Sequence, residues 1–335
     1  MIVLSRRHDD SPPNASARGK DNSPVWPVLR LLAHLSLLVL AGTAALTSVT
    51  ADAKPMIEIR TSDVALFYKL YDAAHGAPTA EALQRDYIDA GSDGVRQFIP
   101  HRIVSGEHLA AVIAQKRDIY DQARNCLNVL PEVKTRLEAA FHKLASLDPD
   151  ATFPPVTILI GANNSGGTTG KSGVLVGLEV VCRSNWLQPD LTDRLFYLIC
   201  HEYGHVEQAA DLNDDSAPTT VLKQSLIEGS AEFVAYLISG GISDAHLQKW
   251  TKGRERQIDE SFLADAGSSD LSQWLYNGVG TPEHPGDLGY WVGYRIAKAY
   301  YMRAPNKRAA LKALLELKNP KAILVESGWK PGDAD

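Results

Sequence analysis

The sequence predicts an α+β fold, mostly helical, with a small β-sheet beside central helices. Long stretches repeat apolar residues at three- and four-residue steps, as amphipathic helices do. Only two short runs, "VTILI" and "VLVGLEVV", are dense in β-branched residues in the manner of strands. With 44% hydrophobic and 22% charged residues, the 335-residue chain has the composition of a globular protein that buries a sizeable core. Its formal net charge of -6 is mild. No run of Lys or Arg and no basic stripe offers a footing to a nucleic-acid backbone, so nucleic acid is not an expected partner.

Residues 1–53 read as a signal peptide with a long n-region. Leu31 to Ala51 carries no charged residue, and Leu35 to Leu46, "LSLLVLAGTAAL", is short and apolar behind Arg30. Ala51 and Ala53 form an A-x-A site, with cleavage before Lys54. The alternative is an anchor helix through residues 31–51, because about 20 uncharged residues just span a bilayer. Arg6 and Arg7 lie too far from the apolar core for a twin-arginine signal. Export, periplasmic or secreted, is the expectation, with no stable membrane association once the signal is removed. In such a compartment Cys126 and Cys182 are a candidate disulfide, leaving Cys200 as a buried small residue. No C-x-x-C pair suggests a thiolate metal cluster.

Residues 54–335 read as one domain, with no internal repeat or low-complexity linker. Its N-terminal part, 54–150, is helical: "EHLAAVIAQKRDIYDQARNCL" and "PEVKTRLEAAFHKLASL" are both amphipathic, the second opening on Pro131. Next, Val156 to Ile160 and Val174 to Val181 predict two strands joined by the loop "GANNSGGTTGKSG". The loop ends like a phosphate-cradling motif at Gly170, Lys171 and Ser172. Ser165 stands where its first glycine belongs, and a strand pattern follows where a helix is needed, so no nucleotide site is expected. From Thr192 an apolar helical face runs into "LICHEYGHVEQ", and a second helix spans "TTVLKQSLIEGSAEFVAYLISGG", ending on Gly240 and Gly241. The C-terminal lobe, 241–335, offers a polar helix near Asp244 to Leu263, the turn-rich "NGVGTPEHPGD", an apolar helix "LGYWVGYRIAKAYYM" and a short helix at 307–317.

A helix advances about 100° per residue, so His201 and His205 lie about 40° apart, one turn above the other, where their imidazoles can grip one ion. Glu202, on the flank of that face, is placed to move a proton beside the metal without ligating it. Gly204 leaves room for close packing. In "LIEGSAEF", Glu228 is the expected third ligand, donated by the next helix, with one coordination position left open. Glu232, one turn on, is placed to hydrogen-bond a ligating histidine and fix its tautomer.

The pair "HEYGH" and "EGSAEF" resembles the gluzincin metallopeptidases, and within them looks most like bacterial proteins described as predicted zinc-dependent proteases, over roughly Val156 to Tyr301. The resemblance implies a zincin-like core, one Zn2+ bound by His201, His205 and Glu228, and Glu202 as general base. Gluzincins commonly steady the oxyanion with a phenol or imidazole from a later helix. "GYWVGY" is similar to the Tyr-x-x-Gly motif of M1-type aminopeptidases, which implies that role for Tyr290, with Tyr294 in reserve. The same aminopeptidases hold the substrate amine with a glutamate on the strand before the metal helix, and Glu179 stands in a partial match to that motif. His284 and Asp287 are candidates to line the cleft. The expectation is an exported zinc metallopeptidase acting on a peptide or protein, with Val174 to Val181 as an exposed strand for edge pairing. The alternatives are an aminopeptidase-type exopeptidase, a related hydrolase of esters or cell-wall peptides, and a zinc-bearing binding or scaffold protein without catalysis.

Overall fold

In the computed structural model, residues 57–213 and 217–333 are described. The signal-peptide reading of residues 1–53 lies outside them. The architecture is α+β and mostly helical, with a four-stranded mixed sheet. After β1 (Ile59–Arg60) come α1 (Ser62–Ala73), α2 (Ala80–Leu83), α3 (Asp93–Phe98), α4 (Gly106–Gln115), α5 (Arg117–Ala123) and α6 (Leu130–Leu147). The sheet is completed by β2 (Val156–Leu159), β3 (Gly167–Gly170) and β4 (Gly173–Gly177). Then follow α7 (Leu178–Arg183), α8 (Leu191–Glu207) and α9 (Val221–Ser239). The C-terminal helices are α10 (Ala245–Thr251), α11 (Glu255–Asp265), α12 (Leu288–Arg303), α13 (Lys307–Glu316) and α14 (Pro320–Ser327). Among the described residues no helix is long and apolar enough to cross a membrane.

The strand order is β1-β2-β4-β3. β1, β2 and β4 run parallel, with Val156 opposite Val174, and β3 folds back antiparallel on β4, with Gly167 opposite Val176. Two expectations for this region are corrected. "VLVGLEVV" is not one strand: it leaves the sheet at Gly177, the N-cap of α7, so Glu179 is helical. An apolar run cannot by itself distinguish a buried strand from a buried helix turn. Because β4 lies between β2 and β3, Val174 to Val181 is not an exposed edge. The edge on that side of the sheet is β3, inside the glycine-rich stretch expected to be a loop, and the opposite edge is β1.

The helices of "EHLAAVIAQKRDIYDQARNCL" break at Lys116, where nothing in the sequence marks a stop. The polar helix near Asp244 to Leu263 divides into α10 and α11 at Gly253, whose φ of +81° takes the chain through the left-handed region that glycine favours. Cys126 and Cys182 form a disulfide, with Cα atoms 5.9 Å apart, tying the helical N-terminal part to α7, and Cys200 is buried and free. In the C-terminal lobe, Asp259 and Arg295 make a buried bidentate ion pair, and Asp259 also accepts the Gly332 N–H, docking the chain end.

Three helices position the centre of the molecule: α9 packs on both α8 and α12. Asp190 caps α8 by accepting the Asp193 N–H, and Thr220 caps α9 by accepting that of Lys223. Gly240, at φ +82°, ends α9 as the sequence predicts. The helix axes come close because glycines sit at both contacts. A Cβ at Gly204 would strike the Ala231 backbone, and one at Gly229 the Gly293 and Tyr294 backbone.

Candidate metal centre

The metal-binding geometry is built at the α8–α9 contact. His201 Nε2 and His205 Nε2 are 3.1 Å apart, His205 Nε2 is 3.1 Å from Glu228 Oε2, and His201 Nε2 is 3.6 Å from that oxygen. Four ligands held tetrahedrally at zinc–nitrogen and zinc–oxygen distances are separated by about 3.3 Å, so this triangle has the size of one face of a zinc coordination shell. His201, His205 and Glu228 form the one group of potential metal ligands found among the described residues.

Hydrogen bonds behind the ligands fix which nitrogens point inward. His201 Nδ1 lies 2.7 Å from Glu232 Oε2, a carboxylate that can only accept, so Nδ1 carries the proton. His205 Nδ1 lies 2.8 Å from Gln208 Oε1, while the Gln208 amide NH2 donates to Ile227 O, which makes Oε1 the acceptor there too. Both imidazoles therefore turn an Nε2 lone pair toward the Glu228 carboxylate. Three acceptors converging in a buried place require one positive charge between them. A proton can supply it: burial opposes charge on His201, but hydrogen bonds to Glu228 and Glu232 outweigh it and hold its pKa well above the ordinary value. Burial likewise opposes charge on Glu228, and the charges of His205 and His201 overcome it, holding that carboxyl well below its usual range. A divalent cation supplies the charge more fully, and the donor set fits zinc.

Glu202 is 1% exposed and reaches back to the sheet. The Thr169 hydroxyl of β3 lies 2.9 Å from the Glu202 carbonyl oxygen and 3.0 Å from Oε2, while Oε1 is buried with no hydrogen-bond partner. Gly167 makes room: a Cβ there would lie 2.6 Å from Oε1. Burial pushes the Glu202 pKa up, against the pull of His205 and His201. The glycine-rich stretch that ends like a phosphate loop thus proves to be the strand that seats this carboxylate.

Glu232 sits where its i+4 spacing from Glu228 predicts. Besides His201 it accepts from the Ser243 N–H, the Ser243 hydroxyl and the Asp244 N–H. Tyr290, on α12, is 2% exposed, with its ring stacked 6.2 Å from the His201 ring and its hydroxyl without a hydrogen bond among the described residues. Burial raises its pKa well above the ordinary value. Tyr294, the reserve, packs instead among Trp291, Phe233 and Tyr236. Glu179 is not brought to the cluster. It is fully buried, and its two oxygens accept the N–H groups of Gly161 and Asn163. Asp287 lines a cleft beside Tyr290, whereas His284 lies on a separate surface hollow with Trp250.

Four residues at the centre escaped the sequence. The Tyr276 hydroxyl donates to Glu228 Oε1 at 2.6 Å, and the Gln224 amide reaches the Tyr276 hydroxyl at 2.7 Å. Gln208 and Thr169 are the others. Gln208 stands three residues after His205, a readable spacing, and Gln224 stands one turn before Glu228. Tyr276 comes from a turn-rich segment with no periodicity to follow.

No curated protein and no solved structure matches the chain. A family model does match, over residues 157–322, a span that contains His201, Glu202, His205, Glu228, Glu232, Tyr276 and Tyr290. That family is described as "Predicted Zn-dependent protease (DUF2268)", and its match, together with a cluster compatible with zinc, supports reading this chain as a zinc-dependent protease.

Proposed function

We propose that the chain is an exported zinc metallopeptidase of the gluzincin type, with residues 54–335 as its domain and one ion held by His201, His205 and Glu228. The observation that carries the reading is the convergence of three acceptors at zinc-ligand separations, with the unpartnered oxygen of Glu202 on the flank of the same helix face. When bound there, zinc polarises a peptide carbonyl and makes water a stronger acid at neutral pH. Glu202 takes the proton of the attacking water on Oε1 and returns it to the leaving amine nitrogen, its raised proton affinity suiting both transfers. Thr169 keeps Oε2 fixed meanwhile. Tyr290 has an uncommitted hydroxyl and donates to the oxyanion as it develops. Tyr276 is spent on Glu228 and holds that ligand in place. An extended peptide would pair with β3, the edge strand that carries Thr169.

Glu179 gives no support to an aminopeptidase, since its carboxylate is committed to two backbone groups. Export is supported by the Cys126–Cys182 disulfide, which suits an oxidising compartment. The test is metal analysis of the purified protein with cleavage profiling on a mixed peptide library, with and without chelator. The Glu202→Gln protein is expected to retain zinc and lose at least about a hundredfold in kcat. Stoichiometric zinc with no turnover by the unaltered protein would leave a binding or scaffold role.

A further inference from the structure

Beside Tyr290 the centre opens into a narrow cleft of about 40 Å³, partly open to solvent. Its wall is largely apolar, formed by Val180, Val181, Leu187, Leu198, Trp186 and Val279. Apart from the Tyr290 hydroxyl, the charged and hydroxyl donors along it are already committed. The Arg194 guanidinium donates to the carbonyl oxygens of Val181, Cys182, Gln188 and Pro189. The Ser184 hydroxyl donates to Val180 O, and that of Ser243 to Glu232.

What the cleft leaves unanswered is acceptor capacity. The Asp244 carboxylate makes no hydrogen bond among the described residues, although its own N–H is fixed on Glu232. His246, two residues on, has a buried Nδ1 without a partner, and burial pulls its pKa down to about 4, so the ring is neutral. Asp287 adds a second carboxylate to the same wall, one of whose oxygens accepts the Asn277 N–H. Burial, with Glu232 and Asp287 nearby, pushes the Asp244 pKa up to about 8, and burial pushes that of Asp287 up to about 7, so both carboxyl groups lack a counter-charge. An acidic occupant would add to that deficit, and a purely apolar one would leave Asp244 without a partner. A methylene stem with a cationic tip satisfies both the wall and the acceptors.

We propose that this cleft is a specificity subsite for the lysine or arginine side chain of a peptide substrate, with Asp244 as the group that reads its charge. The proposal rests on the peptidase reading, and its test keeps the two apart. Zinc-loaded protein is given internally quenched peptides identical but for one position, carrying Lys, Arg, norleucine or Glu, scanned along the sequence. At one position the basic residues should exceed norleucine by about tenfold or more in kcat/KM. Asp244→Asn should bring that ratio close to one, and Asp244→Leu should invert it. A ratio taken within each variant is insensitive to partial loss of fold or metal. The same peptides are then titrated against zinc-loaded Glu202→Gln protein and Kd is read directly. Selective binding of the basic peptides without turnover by the unaltered protein would uphold the subsite and remove the peptidase. Equal affinity for norleucine peptides, or a preference that survives both Asp244 substitutions, would overturn the subsite whatever the turnover.

Discussion

Glu232 accepts from His201 Nδ1, from the N–H and hydroxyl of Ser243 and from the Asp244 N–H, so nearly all its acceptor sites are used. In Glu232→Gln an NH2 must face at least one of these donors. The substitution should weaken zinc binding by about 10–100-fold, read by competition with a chromophoric chelator. An unchanged affinity would show that the His201 ring is oriented by packing alone. Glu232 was visible in the sequence because one helix turn from Glu228 is a fixed displacement. Tyr276, which donates to the same ligand set from the far side of 48 residues, left no such trace. Its position depends on the turn-rich segment before α12, where no period relates sequence to space.

The central helices were legible as elements because their apolar faces, caps and terminal glycines agree with one another. The sheet was read only in part. β2 and β4 were found as strands, while α7 was hidden in the second apolar run and β3 in a glycine-rich stretch. The glycines of β3 answer to a neighbour that local pattern cannot name, since Gly167 is small to admit the Glu202 carboxylate. Gly229 between α9 and α12 is a case of the same kind. Gly229→Ala must push two backbones apart, at a cost of about 3 kcal/mol or more. For a chain of this size that is a fall of about 5–10 °C in Tm by calorimetry. Because Glu228 precedes it, loss of zinc at ordinary temperature should accompany the fall. An unaltered melting curve would mean that the α9–α12 contact is more yielding than its geometry indicates.

Across the whole molecule, the Cys126–Cys182 disulfide closes a loop of 56 residues that includes most of the sheet. In the chain-entropy description, a loop of that length contributes about 4 kcal/mol by restricting the unfolded state. Replacing both cysteines with serine should lower Tm by about 7 °C while zinc content at 25 °C stays the same. A parallel loss of zinc would place the bond's effect on the centre itself. The bonds around Glu232 have a wider reach. One carboxylate clasps the back of an imidazole with one oxygen and the turn at Ser243 and Asp244 with both. A tilt of that ring would carry the carboxylate with it, and with the carboxylate the backbone that borders the neighbouring recess, so the two hollows share one hinge.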